Sequence, residues 1–515
     1  MKKAFLILAI PFSVYCFSQP ITIQWKKCLG GFSDDRAESI IQTLDGGYIA
    51  ACTSSSNDGD VTQQYGQGDI WIVKLFANGS IDWQKSFGGS TDDHAQSIIQ
   101  VTDGGYIIIG FTRSSNIDVV GSHGDSECWV IKLNATGIME WQKPIGGSER
   151  DFGFKVKQTS DNGYIIAGAT YSNDGNITTT NHGQSDFWVI KLAANGNIQW
   201  QNTFGGSGAD TAYSVDLTTD GGYILCGSTS SNDGDVTGHH GSEDAWIIKL
   251  NSLGGLSWQK AIGGSSSDRL YDIKNTSDGG YIAVGSTSSI NGDLALDDHQ
   301  GKQWSVKLDA NGVIQWQKTY GGSGQDNALS VIETTTGGYI IAGSTNSSDG
   351  DVTGLHINDN YSDSWIVKLS TNGALQWQKT LGGMEIEIGT DIKQTSDGGY
   401  IFSGGASSID GDVTGLHGIG NLDAWVVKLE PELSTPDFIK NSITIYPNPV
   451  SEILQFQMDE SITINKIIIT DVSGKILIEK SGNRTSIDVQ NLSSGTYILQ
   501  AYSEGKQFQN KFIKE

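Results

Sequence analysis

Short apolar runs recur along the chain between turns rich in Gly, Asp, Asn and Ser, and the repeated core shows no sustained helical period. The run Ala245-Trp246-Ile247-Ile248-Lys249-Leu250 is largely apolar on both faces. A sheet with one wet face would alternate more cleanly, so this pattern fits a strand sandwiched between two neighbouring sheets. One stretch resolves into four predicted strands. Strand A covers 212–218, and strand B covers 222–228 after the turn Thr219-Asp220-Gly221. Strand C covers 245–251 after a long loop, and strand D covers 256–262 after a Gly-containing hairpin. β-Branched and aromatic residues fill the strands, and Asp/Asn-Gly pairs fill the turns.

The unit repeats seven times. Gly-Gly-Tyr-Ile (once Asn-Gly-Tyr-Ile) places Tyr at 48, 106, 164, 223, 281, 339 and 400. One set of tryptophans marks strand C at 71, 129, 188, 246, 304, 365 and 425; another marks strand D at 25, 83, 141, 200, 258, 316 and 377. The period of 58 to 61 residues suits a propeller; the coils of a parallel β-helix are usually much shorter. Trp25 lies on a D strand with no A, B or C strand before it, and Trp425 on a C strand with no D strand after it. The predicted fold is therefore all-β: a seven-bladed β-propeller over residues 19–430, four strands per blade, closed by an N-terminal strand at 21–28. Closure hides edges that would otherwise pair with other chains.

Both ends differ from the repeat. Lys2 and Lys3 precede an apolar stretch, Ala4 to Phe17, too short to span a membrane, so residues 1–18 read as a signal peptide. No later segment predicts a transmembrane helix. Residues 431–441, with Pro431 and Pro436, read as a linker. The tail then carries Tyr446-Pro447-Asn448-Pro449, Asp471-Val472-Ser473-Gly474-Lys475, Gly495-Thr496-Tyr497, and Lys511 close to its end. Alternating runs between Gly-containing turns predict a small β-sandwich over 442–515. These motifs, in this order, closely resemble the type A sorting domain of the type IX secretion system. The resemblance implies export through the periplasm and across the outer membrane by that machinery. It further implies release or anchoring at the outer cell surface.

Composition narrows the chemistry. A net charge of -25 repels phosphate and excludes nucleic acid as a partner. Cys28, Cys52, Cys128 and Cys226 fall out of register with the repeat and read as buried free thiols. No GxSxG, HExxH, CxxC or GxxxxGK motif occurs. Two polar features do recur. An acidic residue stands in each D-to-A loop: Asp35, Asp93, Asp151, Asp210, Asp268, Asp326 and Glu387. The B-to-C loops carry Asp-Gly-Asp as Asp58/Asp60, Asp233/Asp235, Asp349/Asp351 and Asp410/Asp412, and six of them hold a histidine, among them His240 and His299. Both loop sets belong to one face of a propeller. That face, with the acidic ring and His240, is the expected ligand face, because long loops on a rigid scaffold carry binding residues. Calcium is the cation that the Asp-Gly-Asp carboxylates would hold; turn stabilisation is the competing reading for both sets. The expected function is a non-catalytic propeller that binds an extracellular glycan, polymer or protein. The alternative is a secreted hydrolase acting on polysaccharide with two carboxylates of the acidic ring.

Overall fold

The computed structural model describes residues 21–294, 301–356, 361–432, 443–458, 465–472, 474–482, 484–503 and 506–515. The signal peptide, most of the linker, His299, Ser473 and the loop segment 357–360 lie outside the described residues. The chain divides into two compact units, Met1–Pro431 and Glu432–Glu515.

The first unit is built from seven four-stranded antiparallel sheets. The fourth sheet shows the plan: Asp210–Leu217, Tyr223–Thr229, Asp244–Leu250 and Leu256–Ile262, paired in chain order. Strand C is buried along its whole length, as its two apolar faces predict. Strand A starts two residues earlier than the apolar pattern suggests. Its first residue is the acidic one expected in the loop, and burial of that carboxylate extends the strand.

The seventh sheet is assembled from both ends of the unit. Ile23–Leu29 pairs antiparallel with Asp423–Leu429, next to Tyr400–Ala406 and Glu387–Gln394. Its contact with the first sheet resembles that between the first and the second. Trp83 packs edge-on to Tyr106 of the following sheet, with ring centroids 6.3 Å apart. Trp25 packs on Tyr48 in the same way, at 5.6 Å. Beneath them, Leu29, Ala424 and Val426 share one core with Ala37, Ile40 and Trp71.

The seven strand-C tryptophans are fully buried. Burying an indole costs its N–H a water partner. In the first sheet Gln84 of the adjacent strand replaces it, at 2.7 Å from Trp71 Nε1, and four other sheets repeat the bond. Cys28, Cys52, Cys128 and Cys226 are buried free thiols.

The second unit packs a three-stranded sheet and a four-stranded sheet over one core of Leu454, Phe456, Ile467, Ile469, Leu499 and Phe512.

Candidate functional site

The recurring acids are sealed structural elements. Asp35, Asp93, Asp151, Asp210, Asp268, Asp326 and Glu387 all have 0% exposure. Each accepts the N–H of a glycine four residues upstream, Gly31 to Asp35 and its six counterparts, at 2.7–2.9 Å. In six sheets a serine hydroxyl from the B-to-C loop donates to the same carboxylate, as Ser231 does to Asp210 at 2.7 Å. These groups face a loop turn instead of the expected ligand, because a carboxylate satisfies several converging donors at once.

The Asp-Gly-Asp carboxylates also serve the turn. Asp58, Asp233, Asp349 and Asp410 accept the N–H groups of Phe32, Ser207, Ser323 and Met384 at 2.6–2.9 Å. Asp60, Asp235 and Asp351 accept from Gly30, Gly205 and Gly321 at 3.2–3.4 Å, and the Asp412 N–H donates to the Gly382 carbonyl at 2.7 Å. Among the described residues no group of three or more His, Cys, Asp or Glu side chains is placed to hold a metal ion. His240 Nδ1 lies 3.0 Å from Asp244, and His182, His356 and His417 repeat this contact with Asp186, Asp363 and Asp423.

Asp244 belongs to a second acidic ring, missed by the sequence reading. Asp69, Glu127, Asp186, Asp244, Asp363 and Asp423 open strand C, fully buried. The signal was available: each lies two residues before a repeat tryptophan, and only Lys302 breaks the series. Burial pushes the Asp69 carboxyl up to about 6, with Asp93 adding to the rise and the Tyr65 N–H opposing it.

The convergent site lies elsewhere. The A–B pairing of every sheet carries a register shift between the third and fifth residues of strand A, from Ala37/Ser39 in the first sheet to Gly389/Asp391 in the seventh. The fourth residue is thus bulged out of the ladder, and a bulge re-aims its side chain. These residues are Glu38, Gln96, Phe154, Tyr213, Tyr271, Leu329 and Thr390, one from each sheet. All seven line a single cavity of about 180 Å³, together with Arg36 and Lys155.

One wall is aromatic: Phe154 lies 5.4 Å from Tyr213, which lies 5.2 Å from Tyr271. The remainder mixes Leu329 with polar groups, of which Thr390 donates to the Ala37 carbonyl at 2.7 Å. Arg36 and Glu38 form an ion pair at 3.2 Å. Among the described residues, Gln96 and Lys155 make no side-chain hydrogen bond or ion pair. Burial pushes the Glu38 carboxyl up, and Arg36 pulls it part of the way back. Burial also pulls the Lys155 ammonium down, but Asp391 and Asp272 outweigh it and keep it protonated. Beside the cavity, Asp272 accepts from Ser214 at 2.7 Å, from the Val331 N–H at 3.1 Å, and from Lys274. Asp391 accepts from Ser39 and Ser330 at 3.0 and 2.9 Å, and from Lys393.

In the second unit the tail motifs occupy turns and closing contacts. Tyr446 is exposed, and both Tyr446-Pro447 and Asn448-Pro449 are cis. The Asn448 side chain bonds the backbone on either side of Phe512, accepting from the Ile513 N–H at 2.8 Å and donating to the Lys511 carbonyl at 3.3 Å. Asp471 and Lys475 close a hairpin through Gly474 at φ +85°. Gly495 opens a strand on which the Tyr497 hydroxyl donates to Ser493 at 2.7 Å.

A repeat of antiparallel sheets joined to such a tail defines a class: exported bacterial all-β repeat proteins. Residues 444–515 match the secretion system C-terminal sorting domain family. The tail thus directs the chain to the cell surface or out of the cell, handled by the type IX machinery. Among the described residues no helix is long and apolar enough to cross a membrane.

The chain is 23% identical over 425 residues to the regulatory protein FlaEY of Caulobacter vibrioides, covering 73% of this chain and 42% of that protein. It spans about two fifths of that relative's length. Among solved structures, an extracellular domain from B. thetaiotaomicron matches at TM-score 0.40 and 10% identity, over 94% of this chain and 56% of that one. PorZ, a surface component of the type-IX secretion system of Porphyromonas gingivalis, matches at TM-score 0.22 and 10% identity, over 95% of this chain and all of that one.

Proposed function

We propose that residues 19–430 form a closed seven-bladed β-propeller, joined by a linker at 431–441 to the sorting domain at 442–515. On this reading the propeller is a non-catalytic binder of an extracellular glycan, polymer or protein, and the shared cavity receives part of that ligand. The observation that carries it is the cavity itself. Seven bulged residues of unlike chemistry meet at one place, and Gln96 and Lys155 there lack side-chain partners among the described residues. Half-buried polar groups that converge without protein partners are placed for a ligand to complete the bonding. Binding is favoured over hydrolysis because Glu38 is the one carboxylate in the lining, whereas glycoside hydrolysis takes two. The acidic ring cannot supply the second without leaving its turn.

The test is a binding screen of the full chain against glycans, polysaccharides and extracellular proteins, scored also for cleavage and run beside Tyr213→Ala. A retained ligand lost in Tyr213→Ala and left intact is the expected result. Binding indifferent to Tyr213→Ala would remove the cavity from the reading, and released product would overturn its non-catalytic part.

A further inference from the structure

The ion pairs around the cavity leave one charge over. Lys274 is spent on Asp272, Lys393 on Asp391, Arg36 on Glu38, and Lys157 on Asp216 at 2.8 Å. Lys155 has no counter-ion within 4 Å among the described residues, although it lines the cavity. At the equivalent place on strand A four of the other six sheets carry serine, and the remaining two carry Asp272 and Asp391. Those two carboxylates lie near enough to keep Lys155 charged, yet all the bonds they accept come from other donors. The ammonium therefore keeps three N–H donors free in a half-buried place. An anion entering the cavity would accept from those free donors.

The rest of the lining restricts the anion. Phe154, Tyr213 and Tyr271 offer a continuous aromatic wall, which suits a ring with an apolar face. Gln96 both donates and accepts, as does the Arg36–Glu38 pair taken together, and hydroxyl groups match such mixed partners. A space of about 180 Å³ is below the usual size of a drug-like pocket and admits a single residue or less.

Resting on the reading of this cavity as a binding site, we propose that it takes the terminal uronic-acid residue of an acidic glycan, with Lys155 as counter-ion to the sugar carboxylate and the aromatic wall against the sugar ring.

The experiment titrates the full chain by calorimetry with D-glucuronate, with D-glucose as the neutral counterpart, and with N-acetyl-phenylalanine as a free peptide carboxylate. Wild type is compared with Lys155→Met and Lys155→Gln, two variants that differ in polarity so that a folding defect in one does not decide the matter. Glucuronate should bind at least tenfold more tightly than glucose, and both variants should lose that tenfold preference. Equal affinity for the two sugars, or a preference that survives both variants, would overturn the carboxylate assignment. Tighter binding of N-acetyl-phenylalanine than of glucuronate would replace the sugar with a peptide terminus. If no sugar binds while the screen still returns a Tyr213-dependent ligand, the uronate inference fails and the cavity reading stands. Failure of the screen as well defeats both.

Discussion

Leu29→Ala tests whether the N-terminal strand holds the first unit together. Leu29 is 3% exposed and sits in a core that mixes residues of the first and seventh sheets, including Ile40, Trp71, Ile401 and Val426. Truncating a leucine in such a core removes its transfer free energy and leaves a cavity. The cost is about 3 kcal/mol, within the 2–5 kcal/mol range for buried leucines. That is a large share of the roughly 5–15 kcal/mol that holds a typical domain folded. Leu75→Ala is the matched control: Leu75 is fully buried in the same cluster, but its strand lies inside the first sheet. Urea unfolding followed by tryptophan fluorescence should show both variants destabilised by similar amounts, in one common transition. Closure would be refuted if Leu75→Ala cost its full amount while Leu29→Ala changed stability by less than about 0.5 kcal/mol, the range expected of a surface position.

Three further outcomes follow from the turns and the buried acids. Ile117 holds φ +60°, where the counterparts Gly59, Gly175, Gly234, Gly292, Gly350 and Gly411 stand in the other loops at +60° to +66°. Ile117→Gly should raise stability by up to about 1 kcal/mol, since relief of left-handed strain outweighs the extra chain entropy of glycine; a lower urea midpoint would refute the strain. Asp210→Ala removes the acceptor for Gly206 N–H and Ser231 hydroxyl and should cost about 2–4 kcal/mol, yet leave ligand affinity per folded molecule unchanged; an affinity loss would return the acidic ring to the binding site. Folded Asp69, raised to about 6, binds a proton that the unfolded chain releases near 3.8, so stability falls as pH rises through that window. His417, raised chiefly by its bond to Asp423 against the opposing effect of burial, contributes stability below its unfolded value that is likewise lost as pH rises. The urea midpoint should therefore drop from pH 5 to pH 8, and Asp69→Asn should flatten the drop; a midpoint rising over that range would contradict both assignments.

Much of the architecture was legible because it is periodic. The tryptophan and tyrosine series predicts four strands per unit, and the orphan strands around Trp25 and Trp425 predict the pairing that Ile23–Leu29 makes with Asp423–Leu429. The roles of the acids were not legible. An aspartate in a Gly-rich stretch reads as a solvated loop residue, and only the converging donors from Gly206 and Ser231 explain why Asp210 is buried at a strand start. The cavity was hidden for a different reason. A bulge depends on pairing register, and strand A, read alone, gives no sign that Tyr213 leaves the ladder while Ala212 and Ser214 stay in it.

That bulge explains how a regular repeat can carry a specialised site. Residues that build each sheet and its junction recur because most sheets use the same contacts: the glycine-bound acid, the Trp–Gln bond within a sheet, and the Trp–Tyr contact between sheets. A bulged residue makes no ladder bond, and where it faces a shared cavity it packs against other sheets' bulged residues instead of its own strand partners. Its identity is therefore freed from the demands of the repeat. The fourth position shows this freedom, with Glu, Gln, Phe, Tyr, Leu and Thr sharing it across seven sheets. A repeat protein specialised in this way should change ligand by substitution at the fourth residue of strand A, with the acidic turns and tryptophans left untouched. Exchanging Glu38 and Gln96 would shift a charge within the lining while keeping its composition, and should alter which ligand is held without altering the urea midpoint by more than about 1 kcal/mol. A large loss of stability in that double exchange, with ligand preference unchanged, would show that the fourth positions serve packing and that the site lies elsewhere.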